Sequence, residues 1–252
     1  MNKAFLSAIG AACALSFSLS ASAVPIEFDF SGTPTGGIGT TTTSGGVTAT
    51  SWIWDGSTYT DTATNTQLYR RNSSNDHGIG VCSTDENCST GDFNELSNRI
   101  NYELIRLDKG TANYWDQLWI SSLDSTEAGT LYWGNDSDIA TLLTGSSYTF
   151  NATNNNADIE RDLLDPNDVD GTGLFDAGFF ATAQYVLFTP GITQNVACNS
   201  TATEGDQACG GIMDNDYLVW KGATVPAPAV LGLMSIGLLG VGAATKRRNR
   251  KH

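Results

Sequence analysis

The sequence predicts an all-β protein: a single, jelly-roll-like β-sandwich ectodomain between an N-terminal signal peptide and a C-terminal membrane helix. Three observations predict it. Apolar and polar residues alternate with a period of two at many points in the body, and helical periodicity is nearly absent. Clusters of Gly, Ser, Asn and Asp separate short β-branched and aromatic runs, the turn density of a sandwich. Charge is partitioned along the chain. All 27 acidic residues lie between Glu27 and Asp216, where only seven of the 13 basic residues are found, because Lys3 and five of the last seven residues are basic. A strongly acidic body therefore sits between two apolar ends with basic flanks, the layout of an exported protein.

The N-terminus reads as a secretory signal peptide over residues 1–23. Lys3 supplies the positive start, Ala4–Leu19 is apolar or small, and Ala21-Ser22-Ala23 is an A-x-A cleavage site, so the mature chain is expected to begin at Val24.

The body, residues 24–224, is expected to be one domain, since no Pro-rich or charge-rich linker divides it. Its hydrophobic share of 40%, with 6 Trp, 8 Tyr and 10 Phe, suffices for a packed core and excludes full disorder. The net charge of −14 excludes a nucleic-acid partner, which needs clustered Lys and Arg to displace counterions. Strands are predicted where Ile26, Phe28 and Phe30 alternate with polar neighbours. The same pattern recurs at Ile100, Tyr102 and Leu104, and at Tyr148 and Phe150. Apolar runs at Val47–Trp54, Leu118–Ser121, Thr130–Trp133, Phe179–Phe188 and Tyr217–Trp220 add further strands. Short helical turns are expected near Phe93–Arg99 and Ile159–Leu164. The Thr/Ser/Gly-rich stretch Thr33–Thr66 suits strand–loop excursions on an outer surface and offers many hydroxyls for O-glycosylation.

Four cysteines remain after leader removal: Cys82, Cys88, Cys198 and Cys209. An even number in an oxidising compartment predicts two disulfides, and four cysteines allow three connectivities. Pairing Cys82 with Cys88 and Cys198 with Cys209 closes two short polar loops and is the favoured pattern.

Chemistry-bearing motifs are few. Only His77 and His252 are present, so a multi-histidine metal site is excluded, and any Ser-His-Asp or Cys-His arrangement would have to use His77. His77 lies in the polar cluster Asn75-Asp76-His77-Gly78 and is expected to be a surface turn residue. No phosphate-cradling or dinucleotide glycine motif occurs. No catalytic residue is assigned. A carboxylate-dependent glycoside hydrolase stays open only because it needs just two acids at the right distance. The densest acidic segment runs from Asp162 to Asp176. Asp165, Asp168, Asp170 and Asp176 around Gly171 suit the six to eight hard oxygens of Ca²⁺, although the EF-hand pattern fails at Pro166 and Ala177. Asp136 and Asp138 form a second candidate. Exposed Trp and Tyr would suit a sugar-stacking platform, but sequence cannot separate them from core aromatics.

The C-terminus has three parts: Val225-Pro226-Ala227-Pro228, an uncharged stretch Ala229–Thr245, and the basic tail Lys246–His252. Seventeen residues make a helix of about 25 Å, at the short end for spanning a bilayer. Basic residues stay in the cytoplasm, so the body is expected outside. This layout resembles the PEP-CTERM sorting signal, with Ala227 where that family has Glu. The resemblance covers residues 225–252. It implies a Gram-negative bacterium that makes exopolysaccharide, an exosortase-like processing enzyme as partner and transient residence in the inner membrane. The body is itself similar to an exosortase-dependent surface-protein family. The similarity rests on Gly78-Ile79-Gly80-Val81, Phe93-Asn94-Glu95-Leu96-Ser97-Asn98, Tyr102-Glu103-Leu104-Ile105-Arg106-Leu107, Asp136-Ser137-Asp138-Ile139 and Trp220-Lys221. That similarity implies a surface-displayed β-sandwich without an assigned reaction. The expected function is therefore structural or adhesive, at the cell surface or in a biofilm matrix. A displayed glycan-binding module is the alternative, and a glycoside hydrolase a more distant one.

Overall fold

Strand pairing organises the body into two antiparallel sheets around a shared core. The computed structural model describes residues 24–61, 65–73, 76–83, 88, 95–111, 113–123, 127–151, 159–160, 171–191 and 215–227. The expected leader, residues 1–23, and the expected membrane helix and basic tail, residues 229–252, lie outside these residues. Among the described residues no helix is long and apolar enough to cross a membrane.

In chain order the first strands are β1 (Ile26–Asp29), β2 (Gly36–Gly37), β3 (Thr41–Ser44), β4 (Val47–Trp54), β5 (Tyr59–Thr60), β6 (Thr66–Asn72), β7 (His77–Ser83) and β8 (Leu96–Ser97). They are followed by β9 (Tyr102–Asp108), β10 (Asn113–Leu123), β11 (Ala128–Gly134), β12 (Ser146–Asn151), β13 (Ile159–Glu160), β14 (Gly171–Asp176), β15 (Tyr185–Pro190) and β16 (Asp216–Pro226). One sheet has the order β13-β14-β10-β16-β7-β6-β2, with β1 and β8 also paired to β16; the other has β12-β11-β15-β9-β4-β3, with β5 on β4. The apolar runs read from the sequence fall on β4, β10, β11, β15 and β16, because β-branched and aromatic side chains pack well on a pleated, half-buried surface.

Both sheets feed one core. Val47, Ala49, Ile105, Leu107, Leu131, Val186 and Phe188 come from one sheet, and Leu68, Ile79, Val81, Leu118, Ile120, Phe175, Tyr217 and Val219 from the other. Aromatic rings meet at the centre edge to face: Phe150 lies 5.0 Å from Phe175 and 5.4 Å from Tyr217 between centroids. The β3–β4 hairpin turns on Gly45 and Gly46, whose φ values of 52° and 78° suit a tight turn matched to strand twist.

Two expectations change. No helical turn forms in the described part of Phe93–Arg99. Leu96–Ser97 is strand β8, paired with Tyr217 and Asp216, because burying Leu96 in the core satisfies both its side chain and the backbone of β16. Ile159–Glu160 likewise pairs with β14 as a strand. In β9 the expected strand forms, with apolar residues on both faces. Tyr102 and Leu104 do not enter the central core; they belong to a second apolar cluster with Tyr132, Leu187, Ile139, Leu142 and Leu143. Both faces of β9 are thus covered. The cover is a short helix, α1 (Ile139–Leu142), whose N-cap Asp138 accepts from the Thr141 N–H at 2.8 Å.

Candidate functional site

The start and end of the body are neighbours. β1 pairs antiparallel with β16 through Ile26–Thr224, Glu27–Ala223, Phe28–Gly222 and Asp29–Lys221. Phe28 and Phe30 anchor this edge in the core. Of the residues expected to form a sorting motif, Val225 and Pro226 finish β16 and Ala227 follows it, all partly exposed; Pro228 lies outside the described residues.

Cys82 and Cys88 are joined as a disulfide with Cα atoms 5.8 Å apart. Cys198 and Cys209 lie outside the described residues, as do Asp165, Asp168 and Asp170. Asp176 closes β14 opposite Gln117. Among the described residues no group of three or more His, Cys, Asp or Glu is placed to hold a metal ion. The second calcium candidate is taken up locally: Asp138 caps α1, and Asp136 Oδ1 accepts from the Asp138 N–H at 3.0 Å. His77 is not a turn residue. It opens β7, half-buried, with its ring stacked on Trp220 at 5.1 Å and its Nδ1 3.0 Å from Asn72 Oδ1. Ser121 Oγ bonds the His77 backbone and not its ring, so these two residues make no nucleophile–base pair.

The chemistry that sequence could not place is a buried ionic cluster. Glu95 and Asp76 share the guanidinium of Arg71 and the hydroxyl of Ser122, which lies 3.0 Å from Glu95 Oε1 and 3.1 Å from Asp76 Oδ1. Ser122 reaches both carboxyls from a left-handed backbone conformation, φ 61°, which a non-glycine residue rarely adopts. A second pair lies close by, Arg99 with Asp216 at 3.3 Å, and the Asp216 N–H donates to Glu127 Oε1. Glu95 is 3% exposed, and its Oε2 finds no hydrogen-bond partner among the described residues. Burial pushes its carboxyl well above the usual carboxylate range, Asp216 and Asp76 add to that push, and Arg71 and Ser122 only partly oppose it. The shared hydroxyl holds Asp76 Oδ1 and Glu95 Oε1 within about 6 Å of each other, a separation that suits two-carboxylate hydrolysis. Arg71 and Ser122 bond to both members and tie them into one network.

Two aromatic clusters lie beyond the central core, each with a cation over two of its rings. On the nine-stranded sheet Trp119 and Trp220 are covered by Lys221, whose Nζ sits 4.0 Å from the Trp220 ring centroid and 5.3 Å from that of Trp119. On the seven-stranded sheet α1 roofs the β11 side, while Trp52, Trp54, Tyr59 and Tyr185 remain half-exposed at the margin of the apolar cluster. Trp54 and Tyr59 lie 4.8 Å apart between centroids, and Arg106 stands between Trp52 and Tyr185 at 5.4 and 5.2 Å. The spacing Trp52-x-Trp54 was the available sequence signal, since residues i and i+2 of a strand share a face. Which face they share was not readable.

No family model, curated protein or solved structure matches this chain.

Proposed function

We propose that the chain is an exported cell-surface or extracellular-matrix protein with a jelly-roll-like body. Its C-terminal helix holds it transiently in the inner membrane, an exosortase-like enzyme processes it, and the mature form acts structurally or adhesively in exopolysaccharide. The observation that carries the reading is the pairing of Ile26 with Thr224. The leader ends three residues before Ile26 and the sorting motif begins one residue after Thr224. The two addresses therefore depart from neighbouring residues of one strand pair. The Cys82–Cys88 bridge supports an oxidising compartment. Mass spectrometry of surface protein from the native host tests the proposal. Mature chains should start at Val24 and lack Lys246–His252. Retention of the tail on most surface protein replaces sorting with a plain membrane anchor, and recovery from the cytoplasm overturns export.

The half-exposed aromatic margin of the seven-stranded sheet favours a second reading compatible with the first, a displayed glycan-binding module. In an antiparallel sheet with one face packed on the core, the other face is ordinarily polar.

A further inference from the structure

We propose that the segment Glu95–Arg99 is a pH-sensitive latch, seated against β16 while Glu95 is protonated and released as that carboxyl ionises. The device belongs to the body itself and does not depend on where the protein is displayed. Three observations carry it. First, the segment is buried but has little strand pairing. Each of its five residues is at most 3% exposed, and it packs on β7, β9, β15 and β16. Its ladder to β16 has two positions, Leu96 with Tyr217 and Ser97 with Asp216. Second, the charges around it do not balance. The buried carboxyls that line it or its partner strand are Asp76, Glu95, Glu103, Glu127 and Asp216, and the guanidiniums paired with them are Arg71 and Arg99. With Glu95 neutral, Arg71 serves Asp76 and Arg99 serves Asp216. Glu103 and Glu127 accept the Ser97 and Asp216 N–H groups at 2.9 and 3.2 Å. Once Glu95 ionises, Arg71 must serve two carboxylates that already meet on the Ser122 hydroxyl. A charge buried beside a like charge, with an Oε2 that finds no partner among the described residues, is favoured in water instead. Third, the other cations of the neighbouring strands are held elsewhere. Lys221 of β16 lies over Trp220 and Trp119, and Arg106 of β9 stands between Trp52 and Tyr185. Arg70 alternates to the face of β6 opposite Arg71. β7 carries only His77, with its ring on Trp220, and β15 carries no charged side chain. Asp108 of β9 accepts the Gly110 N–H, and Asp116 lies toward the far end of β10 from Ser122. Burial and Asp216, with Asp76, therefore keep the seated carboxyl protonated well above the usual carboxylate range, and Arg71 and Ser122 only partly oppose them. In water the same group ionises at about 4.3, so between the two values each pH unit favours release tenfold. Release must expose Leu96, which draws the segment back at acid pH.

The test is hydrogen exchange of the full-length chain in detergent micelles, read by mass spectrometry on peptic fragments that cover Glu95–Arg99, with fragments of β4 and β11 as the reference. Protection factors are compared at about pH 5, 6 and 7, which divides out the ordinary pH dependence of exchange. We expect the segment to be less protected than β4 and β11 throughout. Its protection should fall about tenfold per pH unit and then level off. Glu95→Gln should be as well protected at the top of this range as at the bottom. Asp76→Asn, which leaves Arg71 to Glu95 alone, should level off at a lower pH than the parent. Equal protection of the segment, β4 and β11 at every pH overturns the latch, because the segment would then leave only when the whole domain unfolds. So does parent protection that does not vary with pH, or the same fall in Glu95→Gln. If Glu95→Gln does not fold, Asp76→Asn decides, and levelling off at the parent's pH or above it overturns the proposal.

Discussion

Replacing Glu95 by Gln isolates one buried ionisation. The amide keeps the shape of the side chain and its acceptor for Arg71 and Ser122, but it cannot ionise. In the parent, burial holds the folded-state carboxyl well above its ordinary value, and Asp216 and Asp76 face it while Arg71 opposes them. The sign follows. A group whose pKa is raised by folding gives its full contribution below the unfolded value of about 4.3, and loses it as pH rises toward the folded value. Through that window the unfolded chain gives up a proton that the native chain keeps, so stability falls by about 1.4 kcal/mol per pH unit. For a domain of this size that is roughly 3–6 °C of melting temperature per pH unit. Glu95→Gln should therefore melt close to the parent at pH 4 and above it at pH 6–7, with the gap opening along that slope and then levelling off. Differential scanning calorimetry at half-unit pH steps gives both curves under identical buffers, and subtracting them removes every other titrating group. Parallel curves from pH 4 to 8 would refute the reasoning, because Glu95 would then ionise as readily inside the protein as outside it.

Two further substitutions probe how the body is held together. Replacing Cys82 and Cys88 together by Ala should lower stability by only about 2–3 kcal/mol in urea unfolding, because their loop is short and its closure removes little entropy from the unfolded chain. Non-reducing peptide maps of the parent should contain the joined pair. Gly78→Ala should cost about 1–3 kcal/mol in a thermal melt, since φ at Gly78 is 127° and a β-carbon there would meet the Val219 carbonyl and Trp220 Cα. A melt unchanged by Gly78→Ala would mean that β7 and β16 can part without penalty at that point.

Strand-rich segments were legible because their signal is local. Six of the eight residues of Val47–Trp54 are β-branched or aromatic, and the segment forms β4 over those same eight residues. What the pattern could not provide was the assignment of faces. Tyr102 and Leu104 look like core residues in any alternation count, and they are buried, but under α1 on the far side of the sheet. Nothing local distinguishes one apolar cover from another. α1 itself spans four residues, too short for a periodicity to emerge, and only the capping relation of Asp138 to Thr141 announces it. The ionic cluster was out of reach for a related reason. Arg71, Asp76, Glu95, Ser122 and Asp216 are scattered over nearly 150 positions, and their meeting depends on which strands the topology makes neighbours. The aromatic face stood between these cases, since its strand could be predicted but its partners Tyr59, Arg106 and Tyr185 could not.

The edge where β1 meets β16 also determines how the protein carries mechanical load. A chain pulled by both ends of this strand pair would be loaded at adjacent points, perpendicular to the strands. The four residue pairs from Ile26–Thr224 to Asp29–Lys221 would then open one after another, each rupture loading only the next. That is unzipping, the weaker of the two ways to break a strand pair. Held by its C-terminal end alone, the same body would carry no tension across this pair. A second grip at Ile26 is thus what would make this strand pair the place that opens first.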